Sequence, residues 1–60
     1  MLKERFLKIY ASLPINLRDE IILVLIDRGP ITWNVAYLET KKDTKLSEEI
    51  LKRLEELGII

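Results

Sequence analysis

The stretch that decides the fold of this chain spans residues 17–28 and reads LRDEIILVLIDR. Within it lies the longest uninterrupted apolar run of the sequence, residues 21–26. Such a run, rich in β-branched side chains, suits a buried strand as well as a buried helix, and periodicity alone does not separate the two. The flanking residues therefore have to decide between them.

The flanks of this stretch favour a helix. Asn16 stands just before it and is a good N-cap residue, and the acidic pair near its start suits the positive end of a helix dipole. Gly29-Pro30 follows it as a stop signal. The sequence thus predicts a helix over Leu17–Arg28 that is apolar on nearly every side and lies at the centre of the core.

The first thirteen residues predict an N-terminal helix that Pro14 ends. Its apolar residues share one helical stripe: Leu2, Phe6, Ile9 and Leu13. This stripe either forms a dimer seam or folds back onto its own domain. We favour the seam slightly, and with it a homo-oligomer, because a lone core of this size is marginal.

A third segment, from Thr32 as N-cap to about Thr40, predicts another short helix. Its buried stripe is expected to contain Ile31, Val35, Ala36 and Leu38. Trp33 and Tyr37 share an adjoining stripe, where they form either a contact patch for a partner or the cap of a thin core.

The fourth segment predicts a helix capped by Ser47, with Leu46 packing against Leu51 as a hydrophobic staple. Its apolar stripe contains Ile50, Leu51, Leu54 and Leu57, and Gly58 ends it. The predicted fold class is mainly α, with three or four short helices in one domain over residues 1–60. At most a two-stranded patch forms, from Ile31 and Thr32 against Ile59 and Ile60.

The composition argues against an enzyme. The 60 residues include no cysteine and no histidine, so a disulfide framework, a Cys-ligated zinc site and Ser-His or Cys-His catalysis are all excluded. The glutamate pairs 48–49 and 55–56 are adjacent on a helix and do not converge on one ion. We therefore expect no catalytic residue, no metal and no cofactor.

The charge and hydropathy of the chain indicate no preference for a charged partner and no membrane span. Ten basic and ten acidic residues cancel, so the net charge gives no preference for nucleic acid. The longest apolar run is far shorter than the ~20 residues of a membrane span, and the N-terminus does not read as a secretory signal. We expect a cytoplasmic protein, and the abundance of Ile, Leu, Lys and Glu without Gln leans toward a thermophile.

Residues 18–60 resemble the winged helix-turn-helix superfamily. RDEIILVLIDRGPIT (18–32) looks like the first helix of such domains and the short extended piece after it. VAYLETKKDTKL (35–46) looks like the second helix and turn, with Ala36 as the small residue between helices. EILKRLEELGII (49–60) is similar to the recognition helix and the start of the wing.

The chain departs from the pattern of this superfamily in three places. Thr40-Lys41-Lys42 stands where the turn between the last two helices usually carries a glycine, and the sequence stops before a second strand and wing. The segment like the recognition helix is acidic, with four glutamates against Lys52 and Arg53. Base edges in the major groove are normally read by Arg, Lys, Asn or Gln.

Two functions follow from this resemblance. The first is a small dimeric DNA-associating regulator. In it Lys41, Lys42 and Lys45 contact phosphates, which positions a protein without reading sequence, and Lys52 and Arg53 face the groove. The opposing interpretation is that these side chains stay solvated.

The second function is a protein-interaction module of truncated or broken winged-helix type, similar to those of archaeal cell-division and ESCRT-type assemblies. A partner segment would then bind an open strand edge at Ile59-Ile60 or the patch of Trp33 and Tyr37.

Overall fold

A computed structural model describes all 60 residues of the chain, Met1–Ile60. Three α-helices and one β-hairpin follow one another, with a single turn of 3₁₀ helix before the hairpin. The elements are α1 (Leu2–Ser12), the 3₁₀ turn (Ile15–Leu17), β1 (Ile21–Leu25), β2 (Gly29–Thr32), α2 (Trp33–Lys42) and α3 (Lys45–Glu56). The predicted fold class, mainly α with a minimal two-stranded sheet, is confirmed.

The helix predicted over Leu17–Arg28 is wrong, because residues 21–25 form a strand of an antiparallel hairpin. Leu23 and Leu25 are buried while Val24 between them is exposed, which is the alternation of a strand with one face on a core. A helix apolar on every side needs neighbours all round it, and a chain of this size does not supply them. Asn16 accordingly lies inside the 3₁₀ turn and caps no helix.

The hairpin closes through a short turn over residues 26–28, after which Gly29 adopts a left-handed φ of 83°. The antiparallel pairs run Leu25 to Gly29, Val24 to Pro30, Leu23 to Ile31 and Ile21 to Thr32, with an irregularity between Ile21 and Leu23. Ile31 and Thr32 therefore pair with β1, and their predicted pairing with Ile59 and Ile60 is wrong.

The end of α3 explains why Ile59 and Ile60 form no strand. Gly58 has a φ of 77°, and the Ile59 amide donates a 2.9 Å hydrogen bond back to the Leu54 carbonyl. This left-handed glycine ends the helix as predicted and turns the chain back, so that Ile60 is buried in the core.

The caps of α2 and α3 agree only in part with the sequence. Thr32 caps α2 as predicted, its Oγ1 accepting a 3.1 Å hydrogen bond from the Val35 amide. At α3 the N-cap is Thr44, whose Oγ1 accepts from the Ser47 amide at 3.0 Å. Ser47 lies buried in the first turn and donates to the Thr44 carbonyl at 2.6 Å, so the predicted cap at Ser47 and the staple built on it are wrong.

The inner face of α2 is rotated from the predicted one. Val35 and Leu38 are exposed, whereas Ala36 and Thr40 are buried. The helix also extends through Lys42, so the turn before α3 consists only of Asp43 and Thr44. The placement of the turn at Thr40-Lys41-Lys42 is therefore wrong, since these residues belong to α2, and Asp43 occupies the left-handed position with a φ of 53°.

One apolar core holds the elements together. Its members come from every helix and both strands: Phe6, Leu23, Leu25, Ile31, Ala36, Ile50, Leu51, Leu54 and Ile60. Phe6, Ile50 and Leu54 are its largest fully buried side chains. The core therefore lies between the three helices and the inner face of the hairpin, and leaves the outer face of the hairpin to solvent.

Candidate binding surfaces

The lysines predicted to contact phosphates surround the turn between α2 and α3. Lys41 and Lys42 lie in the last turn of α2, and Lys45 is the first residue of α3. All three are exposed and none forms an ion pair. The Nζ of Lys41 lies 5.6 Å from the centre of the Tyr37 ring. We call these three residues the lysine turn.

The lysine turn does not continue as a basic stripe along α3. Lys52 is exposed two helical turns beyond Lys45, but Glu48 and Glu49 lie between them and are exposed as well. Arg53 donates to the carboxylate of Glu56 at 3.2 Å. The positive charge is thus concentrated at one end of the helix pair.

The turn itself is held by polar contacts from both sides. Lys3 of α1 donates to both carboxylate oxygens of Asp43, at 2.9 and 3.0 Å. The Thr44 hydroxyl donates to Glu39 at 2.6 Å while it caps α3. These contacts fix the geometry of the lysine turn relative to α1.

Trp33 and Tyr37 lie in an aromatic cluster that joins α2 to α1. The rings of Tyr10 and Tyr37 stack in parallel with centres 4.2 Å apart, and those of Phe6 and Trp33 lie 5.8 Å apart. The guanidinium of Arg18 lies over the Tyr10 ring, 4.5 Å from its centre. Trp33 and Tyr37 are half-buried and pack against the core, which agrees with their interpretation as its cap, and the contact patch stays a prediction.

The predicted dimer seam on α1 is wrong for Phe6, whose side chain is fully buried within its own chain. Leu2 and Ile9 pack against the same core, and Leu13 is half-buried at the end of the helix. The stripe thus folds back onto its own domain. The predicted open edge at the C-terminus is wrong as well, since Ile59 and Ile60 form no strand and Ile60 is buried.

The surface that the sequence did not reveal is the outer edge of β1. The sheet contains only two strands, so each strand pairs on one side alone. Val24 lies opposite Pro30, which has no amide hydrogen and cannot complete a hydrogen-bonded pair. The amide and carbonyl of Val24 therefore point away from β2, toward this outer edge.

No other part of the chain forms hydrogen bonds with that edge. No backbone hydrogen bond outside the helices and the hairpin involves residues 21–31, and no side-chain hydrogen bond reaches them. The side chains beside the edge are apolar and exposed: Ile21 by 58%, Val24 by 64% and Ile26 completely. We call this surface, the unpaired side of residues 21–26, the β1 edge.

A groove of about 340 Å³ runs beside the β1 edge, between the tip of the hairpin and α3. Its lining residues are Val24, Leu25, Ile26, Asp27, Glu49 and Arg53. The carboxylates of Asp27 and Glu49 take part in no hydrogen bond or ion pair. The groove is therefore apolar along the strand, and its charged lining consists of two unpaired carboxylates, Asp27 at the hairpin tip and Glu49 on α3, with Arg53 also on α3.

No helix is both long and apolar enough to cross a membrane. The structure contains no group of three or more His, Cys, Asp or Glu side chains placed to hold a metal ion.

Comparison with known proteins adds no relative, since no family model, no curated protein and no solved structure matches the chain. The resemblance to the winged helix-turn-helix superfamily accordingly stays a prediction. Function has to be argued from the two surfaces described above.

Proposed function

We propose that this protein is a protein-interaction module that binds an extended segment of a partner protein as a third strand on the β1 edge. The observation that carries this proposal is the unpaired outer side of β1, flanked by the exposed side chains of Ile21, Val24 and Ile26. The proposed function is the one expected of a broken winged-helix module, but the proposed site is the hairpin and not the C-terminus.

An unpaired strand edge is a template for a further strand. Backbone hydrogen bonds supply affinity for any extended segment, and the side chains beside the edge select among segments. Proteins usually protect such edges with lysine, proline or a covering loop. Residues 21–26 of this chain contain neither a charged residue nor a proline, so the β1 edge has none of these protections.

The opposite edge of the hairpin differs in this respect. Because Val24 and Pro30 form the pair without hydrogen bonds, the nitrogen of Pro30 faces the outer side of β2, where it offers no donor. The row of outward donors is therefore interrupted at Pro30 beside β2, whereas beside β1 the amide and carbonyl of Val24 are open, past the irregularity between Ile21 and Leu23. This asymmetry supports a single site for a strand.

The test is selection of short random peptides on the protein, followed by measurement of their affinities by fluorescence anisotropy. Val24→Pro removes the outward amide, and we expect it to abolish binding of the selected peptides. Val24→Lys is a second variant that keeps the strand, and we expect it to weaken binding at least about tenfold.

The matched control is Leu38→Lys, which places the same charge on an exposed apolar position of α2, where the backbone is fully paired. We expect this variant to bind the peptides like the parent. Thermal melts of each variant separate loss of binding from loss of folding. Equal binding by the parent, the Val24 variants and the Leu38 variant would contradict the proposal.

DNA association is a second candidate, favoured by the exposed, unpaired amino groups of the lysine turn. The resemblance of residues 35–60 to a helix-turn-helix supports it. The acidic outer face of α3 and the zero net charge oppose it.

A titration of fluorescent duplex DNA at low salt tests this candidate. Each lysine lost from a phosphate contact should flatten the plot of log affinity against log salt by roughly one unit, so replacement of Lys41, Lys42 and Lys45 by glutamine should weaken binding to any sequence. Absence of binding at about 100 micromolar protein, within the usual non-specific range, would remove the candidate.

A further inference from the structure

We infer that the segment bound at the β1 edge is basic: it carries a lysine or arginine between apolar residues, and this side chain meets Asp27 and Glu49. The inference rests on the proposed function, since it names the chemistry of the partner at that same site. Its basis is the charge of the groove beside the edge.

The two faces of an added strand meet different surroundings. Successive side chains of a strand point to opposite faces of the sheet. One set continues the outer row of Val24 and Ile26, which are exposed and apolar. The other set lies on the side of buried Leu25 and faces α3, where Glu49 and Arg53 line the groove. An apolar residue suits the first face and a charged one the second.

The sign of that charge follows from the ion pairs of the chain. The one cation of the groove, Arg53, forms a half-exposed ion pair with Glu56 at 3.2 Å, so a neighbouring carboxylate already matches its charge. Asp27 and Glu49 have no cationic partner. The groove therefore presents unpaired negative charge, and a cation relieves it whereas a carboxylate adds repulsion.

A long basic side chain also fits the shape of the groove. The methylene stem of a lysine or arginine packs along apolar surface while its charged end stays in water. Here the stem would cover the exposed part of the groove floor at Leu25, and the charged end would reach the carboxylates on the rim. A short or acidic side chain at this place does neither.

The test uses peptides selected on the parent protein, each compared with a copy in which its basic residue is replaced by glutamate. We expect the selected peptides to be enriched in lysine and arginine, and the glutamate copy to bind about three- to tenfold more weakly. Glu49→Lys should reverse this preference, so that the glutamate copy becomes the tighter ligand.

Glu48→Lys is the matched control, because Glu48 precedes Glu49 on α3, is equally exposed and does not line the groove. Both changes add the same charge near the start of the helix, so the interaction with the helix dipole changes alike. We expect Glu48→Lys to leave the peptide preference unchanged.

The possible results separate this inference from the function on which it rests. Peptides that bind the β1 edge with equal affinity in their basic and acidic copies overturn the basic partner and leave the interaction module standing. Selection that yields no peptide sensitive to Val24→Pro overturns both. Parent protein that dimerises by light scattering and is made monomeric by Val24→Lys shows a second copy as the occupant, and also overturns the inference.

Discussion

Two regions of the molecule, the helix pair α2–α3 and the β-hairpin, differ in how completely their backbone hydrogen bonds are formed. In the helix pair the backbone donors are paired within each helix, the first turns are capped by Thr32 and Thr44, and the connection is held by Asp43 and Lys3. In the hairpin the outer edge of β1 has no partner, and apolar side chains stand in solvent beside it. Both regions contribute buried side chains to the core, and the unpaired edge of the hairpin is the part that the proposed function uses.

The physical reason for the difference is the range of the hydrogen bonds. A helix closes its backbone bonds within four residues, so each helix is complete by itself. A strand needs a neighbour on both sides, and two strands leave two edges. In this chain Pro30 interrupts the edge of β2, whereas residues 21–26 contain no proline and no charged side chain that would protect the edge of β1. A fold of this size can thus be stable in one region and incomplete in another.

The largest expected effect comes from the centre of the helical region. Phe6→Ala should lower the free energy of unfolding by about 3–5 kcal/mol, because Phe6 is fully buried between α1 and the other helices. Domains of this size are stable by only about 3–9 kcal/mol, so a urea melt should show the variant losing roughly a third or more of the parent's stability. If it instead melts like the parent and only changes its oligomeric state, α1 would be a dimer seam after all.

The next prediction compares the two faces of β1. Leu25→Ala should destabilise the protein by about 2–5 kcal/mol, as should Leu54→Ala on the helical side, because both leucines are buried. Val24→Ala should change the stability by no more than about 0.5 kcal/mol, because Val24 is exposed. Thermal melts of the three variants check this order. A cost at Val24 as large as that at Leu25 would show that the outer face is covered.

The same two faces explain which parts of the fold were predictable. The periodicity of α1 and of α3 could be read directly, and Gly58 and Thr32 gave correct boundaries. The run over residues 21–26 could not be resolved, because its alternation is hidden: the exposed positions carry Ile and Val as well. An apolar outer face is unusual for a strand in water, and it makes a strand look like a buried helix.

For the candidate site, the sequence suggested the type of surface, an open strand edge, but not its position in the chain. Sequence reasoning expected a strand edge open to a partner and placed it at Ile59-Ile60, where Gly58 instead turns the chain into the core. One signal pointed to the hairpin: Pro30 within an apolar pattern suits an edge strand. The groove could not be found, because only the fold places Asp27 and Glu49 beside the same groove.

A smaller effect is expected at the turn of the helix pair. Asp43 adopts a φ of 53°, which costs other L-residues about 1–2 kcal/mol and glycine almost nothing. Asp43→Gly and Asp43→Ala both lose the ion pair with Lys3, so their difference isolates the backbone. The alanine variant should be less stable than the glycine variant by about 1 kcal/mol in urea melts. Equal stability would mean that the turn relaxes, and that the helix pair is less rigid than described.

The measurement that tests the central claim most directly is amide hydrogen exchange along β1, followed by NMR. In the free protein the amide of Val24 should exchange at nearly the rate of an unfolded chain, while those of Leu23 and Leu25, which face β2, exchange slowly. A peptide selected for binding should then slow the Val24 amide by about tenfold or more. Protection of Val24 in the free protein, or unchanged exchange when the peptide is bound, would contradict an open β1 edge that receives a strand.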